Sequence, residues 1–242
     1  MCLTKKHKSD LFSLIQEDAK TTCEEDVNSI DILENKVLRY RNIEDLFIFN
    51  LVDDLNQKKI NIKFHNLFLR YISSNTNALK LLEADLLATF MRDPACKNHY
   101  EPILFFKGYK ALQLHRLGHW LWNKKEFFSA LAIQSFMSDL YQVDIHPSCV
   151  IGKGIMIDHA TRLVIGERVV IGNNVSLLHS VTILAPKAED LTVIEDDVLV
   201  SAGASIIGNI NIKRSAKVGA GSLVIENVSK GSTVVGVPSH QL

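Results

Sequence analysis

Aliphatic residues fall on a six-residue grid through the C-terminal part of the chain, and this grid restricts the fold more than any other feature. One run is Ile145, Ile151, Ile157, Leu163, Val169, Val175 and Val181; a second is Ile194, Val200, Ile206, Ile212, Val218 and Val224. A period of six fits neither a helix of about 3.6 residues per turn nor a strictly alternating strand. It fits a parallel β-helix with a triangular coil, each flat face roughly six residues long. One aliphatic side chain per face then points inward, and stacked coils share a continuous apolar core. The expected class is α+β: an α-helical region over residues 1–142, then a β-helix of hexapeptide repeats over residues 143–242.

The helical reading rests on apolar residues three and four apart. It predicts helices over 43–55, 63–73 and 76–92, the last with Leu79, Leu82, Leu86 and Phe90 on one face and Pro94 just beyond its end. A single long helix is expected from Ile103 to Asn123, holding both tryptophans, and another over 125–142. No Gly/Pro/Ser-rich linker separates the halves, so the helices are expected to pack on the solenoid or on a partner chain. An exposed first coil would be an open sheet edge, which proteins normally cover.

The two hexad runs are out of phase. Val181 and Ile194 are 13 residues apart, one more than two faces, so part of Thr182-Ile-Leu-Ala-Pro-Lys-Ala-Glu-Asp-Leu-Thr-Val193 must leave the wall as a short loop. Loops extruded from a rigid scaffold are frequent sites of function.

Bulk properties exclude several classes. Twenty-seven basic residues balance 27 acidic ones, which gives no field favouring nucleic acid or an anionic membrane. No apolar run approaches bilayer-spanning length, and Met1–Asp10 lacks the apolar core of a secretory leader. Cys2, Cys23, Cys96 and Cys149 are scattered and form no CxxC pair, as in a reduced cytoplasmic protein. No metal-ligating constellation and no nucleotide fingerprint is found.

His159 follows the inward position Ile157 by two residues, so it is expected to face solvent. Asp144 lies 15 residues earlier, near one coil of 18, which makes contact across adjacent coils feasible; Asp158 is its chain neighbour. Taken alone, these residues fit a surface imidazole and turn aspartates as well as they fit a site. Their setting favours a site. Met91-Arg-Asp-Pro-Ala95, Lys107-Gly-Tyr-Lys-Ala-Leu-Gln113, Arg116-Leu-Gly-His-Trp-Leu-Trp122, Val143-Asp-Ile-His-Pro147, Ile151-Gly-Lys-Gly-Ile-Met-Ile-Asp-His-Ala160 and Gly236-Val-Pro238 occur in one order. In them the chain resembles the serine O-acetyltransferases, hexapeptide-repeat enzymes that make O-acetylserine for cysteine synthesis.

The resemblance implies a left-handed β-helix, acetyl-CoA as acetyl donor without a metal, and L-serine as acceptor. It implies that His159 is the general base, that Asp144 orients it, and that Asp93 and Asp158 contact the amino group of serine. A base near neutral pKa suits removal of a hydroxyl proton during attack on a thioester. His179 is a candidate neighbour of the site or a structural residue; His146 is expected to shape the first coil and His119 to pack.

Ala202-Gly203-Ala204 and Gly219-Ala220-Gly221 lie about one coil apart, where members of the family hold the cofactor between subunits of a trimer. Gly203, Ala204, Ala220 and Gly221 are therefore the cofactor candidates, although small residues also suit tight corners. Homotrimers, or trimers paired through the helices, are implied as well.

Two departures from the family follow. Its extruded loop is rich in glycine and carries an Arg-His pair for the substrate carboxylate; here Ser180–Ile194 has no glycine, arginine or histidine, and Lys187 is left as the candidate cation. The chain stops soon after Gly236-Val-Pro238, so the tail-mediated complex with a sulfhydrylase is not expected. Serine acetylation is the leading reading; acetylation of another alcohol, or a scaffold without turnover, remain beside it.

Overall fold

The computed structural model describes residues 10–56 and 63–241. Cys2, the stretch read for a leader up to Ser9, and Leu242 lie outside them. The described residues hold eight α-helices: α1 (Leu11–Glu25), α2 (Ile30–Leu33), α3 (Ile43–Asn56), α4 (Phe64–Ser74), α5 (Ala78–Arg92), α6 (Glu101–Leu104), α7 (Lys107–Asn123) and α8 (Phe127–Tyr141). The sequence reading did not single out α1, whose N-cap Asp10 accepts from Ser13 N at 2.9 Å.

The single helix expected over 103–123 is instead two. Phe106 is extended (φ −94°, ψ 102°) and starts α7 afresh. The reason is a close approach: a Cβ on Gly108 would lie 2.0 Å from the carbonyl oxygen of Ile157, so the first turn of α7 rests on the backbone of the solenoid. That contact seats the first turn of α7 on the solenoid.

Gln142, in the left-handed region (φ 56°), ends α8, and the solenoid begins at once. It has about five turns and three parallel sheets, matching the left-handed β-helix. The first sheet holds β1 (Val143–Ile145), β4 (Leu163–Ile165), β7 (Thr182–Leu184), β10 (Ser205–Ile207) and β13 (Leu223–Val224). The second holds β2 (Val150–Ile151), β5 (Val169–Ile171), β8 (Thr192–Ile194) and β11 (Asn211–Ile212). The third holds β3 (Met156–Ile157), β6 (Ser176–Leu177), β9 (Leu199–Val200), β12 (Lys217–Val218), β14 (Thr233–Gly236) and β15 (Ser239–Gln241). β15 alone pairs antiparallel, folding back on β14 after the Gly236-Val-Pro238 turn.

Twelve of the thirteen grid residues are buried; Ile151 is half-buried beneath the helices. The coils are not uniform, however. The regular spacing is 18, as in Val164↔Thr182 and Leu199↔Lys217. Partners spanning residues 158–162 are 20 apart (Val143↔Leu163, Met156↔Ser176), and those spanning 185–191 are 23 apart (Val169↔Thr192, Thr182↔Ser205). The solenoid thus carries two inserts, of two and five residues, where the sequence reading found one extra residue in the second place. The first insert escaped notice because the strands that follow it turn both outer residues inward: β4 buries Leu163 and Ile165, and β5 buries Val169 and Ile171. The hexad grid crosses from one inward row to the other at Leu163 without losing an aliphatic residue.

Helices and solenoid share one apolar cluster, running from Ile15 in α1 through Leu112 and Leu117 in α7 to Ile145, Leu163 and Val224. Within it lies a buried ion pair. Asp85 of α5 accepts from Arg116 Nε (2.7 Å) and Nη2 (3.0 Å), from Gln113 Nε2 (3.2 Å) and from Ile155 N (3.0 Å). Arg116 also donates to the carbonyls of Ile151 (3.3 Å) and Gly152 (2.7 Å). One acid and one guanidinium therefore tie α5 and α7 to the first coil. No helix among the described residues is long and apolar enough to cross a membrane.

Candidate active site

The two-residue insert forms a corner, Asp158-His159-Ala160-Thr161-Arg162, between β3 and β4. Three of its residues are left-handed without being glycine: His159 (φ 54°), Ala160 (φ 58°) and Arg162 (φ 61°). Each costs on the order of 1 kcal/mol, so the surroundings must impose the shape. They do so through backbone bonds: Asp158 N to Leu177 O (2.8 Å), Arg162 N to Gln142 O (2.8 Å) and Ser180 N to Thr161 O (2.8 Å). Lys107, the first residue of α7, adds a bond from its ammonium to Thr161 Oγ1.

The corner projects His159 outward, its side chain 73% exposed, with Nε2 3.7 Å from Asp158 Oδ1. Against it, α5 ends at Asp93, whose Oδ1 accepts from Ala95 N at 2.8 Å. Asp93, Asp158, His159 and Lys107 face one cavity of about 500 Å³, with Thr89, Phe105, Phe106 and Met156 among its other walls. Two carboxylates, an imidazole and an ammonium beside apolar walls suit a small zwitterionic ligand with a proton to lose.

The other expected site residues stand elsewhere. Asp144, on β1, accepts from Gln134 Nε2 of α8 at 2.7 Å, and no hydrogen bond or ion pair joins it to His159. Its spacing of 15 from His159 suggests contact across adjacent coils; in the structure both belong to the first coil, which the insert lengthens. Lys187 is exposed on the Ala185–Leu191 loop, between the first and second sheets, whereas His159 is at the edge between the third and first. Within one chain, Lys187 does not line the cavity.

Below His159 the same edge continues through the later coils. The His179 ring meets that of His159 edge to face, with centroids 5.6 Å apart. Gly203 N donates to His179 O (3.0 Å) and Gly221 N to Ala202 O (2.9 Å). Gly203 (φ 71°) and Gly221 (φ 67°) thus stack as exposed left-handed corners, with Ala220 exposed beside them. Ala204 differs: it is fully buried, and its methyl faces the solenoid core.

His146 meets Trp122 edge to face, and His119 Nδ1 lies 2.8 Å from Pro147 O, so both brace the first coil. Among the described residues no group of three His, Cys, Asp or Glu is placed to hold a metal ion.

Sequence reasoning missed Asp85, Arg116 and Lys107 as determinants of the site. Asp85 had a signal, an acid three residues after Leu82 on an apolar helix face, which calls for a buried partner. Arg116 and Lys107 stood inside quoted motifs, but only the tertiary contacts show what they touch.

Residues 11–114 match the family model described as serine acetyltransferase, N-terminal. The serine acetyltransferase of Buchnera aphidicola subsp. Schizaphis graminum is 36% identical over 235 residues, covering 95% of this chain and 90% of that protein. The chain belongs to the serine acetyltransferase family.

Solved structures agree over nearly the whole length. Serine acetyltransferase from Neisseria gonorrhoeae, in complex with serine, superposes with a TM-score of 0.90 at 37% identity, covering 98% of this chain and all of that one. The Brucella abortus strain S19 enzyme in complex with coenzyme A gives 0.90 at 32% identity, covering 96% and 94%. The family thus embraces both the helical region and the solenoid of this chain.

Proposed function

We propose that this protein transfers the acetyl group of acetyl-CoA to the hydroxyl of L-serine, giving O-acetylserine for cysteine synthesis and releasing CoA. The observation that carries the reading is the meeting of Asp93, Asp158 and His159 at one cavity in a member of this family. Relatives solved with serine and with coenzyme A support the choice of substrates.

His159 accepts the hydroxyl proton as serine oxygen attacks the thioester carbon. The C–S bond breaks, and the proton passes from the imidazolium to the departing thiolate. Asp93 and Asp158 receive the substrate ammonium from the helix side and the corner side. Asp158, 3.7 Å from Nε2, also steadies the imidazolium as it forms. The orienting role of Asp144 rests on the family resemblance alone, since within one chain its carboxylate is held by Gln134.

Acetyl-CoA lies along the edge below His159, its pantetheine arm passing the exposed small residues Gly203, Ala220 and Gly221. In this reading the protein works in the cytoplasm as a trimer or as paired trimers. A neighbouring copy then forms the outer wall of that edge and can offer Lys187.

A second reading, acetylation of an alcohol other than serine, draws support from the missing Arg-His pair in the Ala185–Leu191 loop. One experiment separates the two: CoA release from acetyl-CoA with L-serine, L-homoserine, ethanolamine or no acceptor, in wild type and His159→Ala. Release that depends on serine and disappears in His159→Ala supports the first. Release with ethanolamine equal to that with serine favours the second.

A further inference from the structure

The acceptor proposed above is a zwitterion, and the cavity holds a group for each of its charges. Asp93 and Asp158 answer the ammonium. Lys107 is the one permanently cationic side chain among the residues that line the cavity. Lys187, the one cation of the Ala185–Leu191 loop, stands in solvent at another edge of the same chain. We propose that Lys107 binds the acceptor's carboxylate and thereby sets the preference for an amino acid over a simple amino alcohol. The proposal rests on the reading of this cavity as the acceptor site.

The geometry suits the task. Thr161 Oγ1 takes one hydrogen of the Lys107 ammonium. An ammonium has three donor hydrogens, so two are left for a carboxylate. Thr161 is two residues from His159, and the bond therefore holds the cation against the corner that carries the base. Lys107 is half-buried, with Phe105, Phe106, Met156 and Ile157 among the residues around the same space. Apolar walls reduce screening, and an ammonium–carboxylate contact is stronger there than in open water.

Because Lys107 opens α7, and α7 is anchored by the Asp85–Arg116 pair, its position is set by the fold rather than by a loop. A site built around a polar contact also rejects a ligand that leaves its charged group unmatched. Ethanolamine, which has the amine and hydroxyl of serine but no carboxylate, is such a ligand.

The test titrates L-serine and ethanolamine calorimetrically into wild type, Lys107→Met, Lys107→Arg and Lys187→Ala, each checked for an unchanged melting profile, and measures turnover in parallel. The proposal expects tighter binding of serine than of ethanolamine by wild type. Lys107→Met weakens serine binding by roughly 10- to 100-fold, with a much smaller effect on ethanolamine. Lys107→Arg, which keeps the charge, retains part of the discrimination.

Equal loss for both ligands would reduce Lys107 to a support of the corner and overturn the proposal. So would loss of discrimination in Lys187→Ala alone, or a wild type that binds serine no better than ethanolamine. Serine binding that needs Lys107 without CoA release would uphold the proposal while refuting the acetyl-transfer reading.

Discussion

Arg116 closes on Asp85 as a two-pronged fork, at 2.7 and 3.0 Å, with the side chains 4% and 0% exposed. The pair lies outside the cavity and joins elements that flank it. Asp85 is on the helix that ends at Asp93, Arg116 on the helix that begins at Lys107, and Asp85 also receives Ile155 N just before β3.

Removing one member leaves the other charge buried without its partner. Arg116→Met is expected to cost about 3–5 kcal/mol of stability. Urea denaturation followed by circular dichroism checks this, and a loss below about 1 kcal/mol would show that water reaches Asp85 in solution.

Gly108→Ala sets helix propensity against space. Alanine favours a helix by about 1 kcal/mol over glycine. Its Cβ, however, would sit 2.0 Å from Ile157 O, a backbone atom that cannot swing aside. The clash is expected to win, with a net loss of about 1–3 kcal/mol and displacement of Lys107 from Thr161. A lower melting temperature together with weaker serine binding is the predicted outcome.

His159→Ala removes an exposed side chain, so stability should change little while turnover falls by roughly 10²- to 10⁴-fold. Stopped assays of CoA release on protein with an unchanged melting temperature make the measurement. Activity within about tenfold of wild type would remove His159 from the role of base.

Stability should fall on mild acidification. Burial holds His115 well below the ordinary imidazole range, with His119 and Arg116 adding to the effect, and burial also lowers His146. At pH above about 6.5 these imidazoles are neutral in folded and unfolded chains alike. Below it the unfolded chain takes up protons that the folded one refuses. The fully buried His115 then costs up to about 1.4 kcal/mol per pH unit until its folded value is reached, and the partly exposed His146 much less. Urea midpoints at pH 7.5 and 5.5 should differ in that direction, and less so in His115→Gln.

Much of this architecture is legible in the sequence, for a physical reason. A solenoid repeats one local environment, so burial at Val169, Val175 and Val181 announces itself as a period, and α5 announces itself through Leu79, Leu82 and Leu86. The corner at Asp158–Arg162 is harder to read because an inward row lies on either side of each outward residue, which hides a two-residue shift. Lys107 and Arg116 are harder still, since a lysine or arginine in a helix usually faces water, and what draws these two inward is a carboxylate or hydroxyl far away in the chain. The Asp144–His159 spacing shows the converse limit: an interval along the chain gives a position in a coil, not a hydrogen-bond partner, and here Asp144 accepts from Gln134.

The two inserts leave the ladder beneath them intact, since Val193↔Asn211 and Ser205↔Leu223 return to the interval of 18. Each edge therefore behaves as an independent shelf, where residues can be added or removed while the walls above and below stay in step. The Asp158–Arg162 corner occupies one shelf and the Ala185–Leu191 loop another. A change of length or composition in the loop therefore need not alter the corner that carries His159.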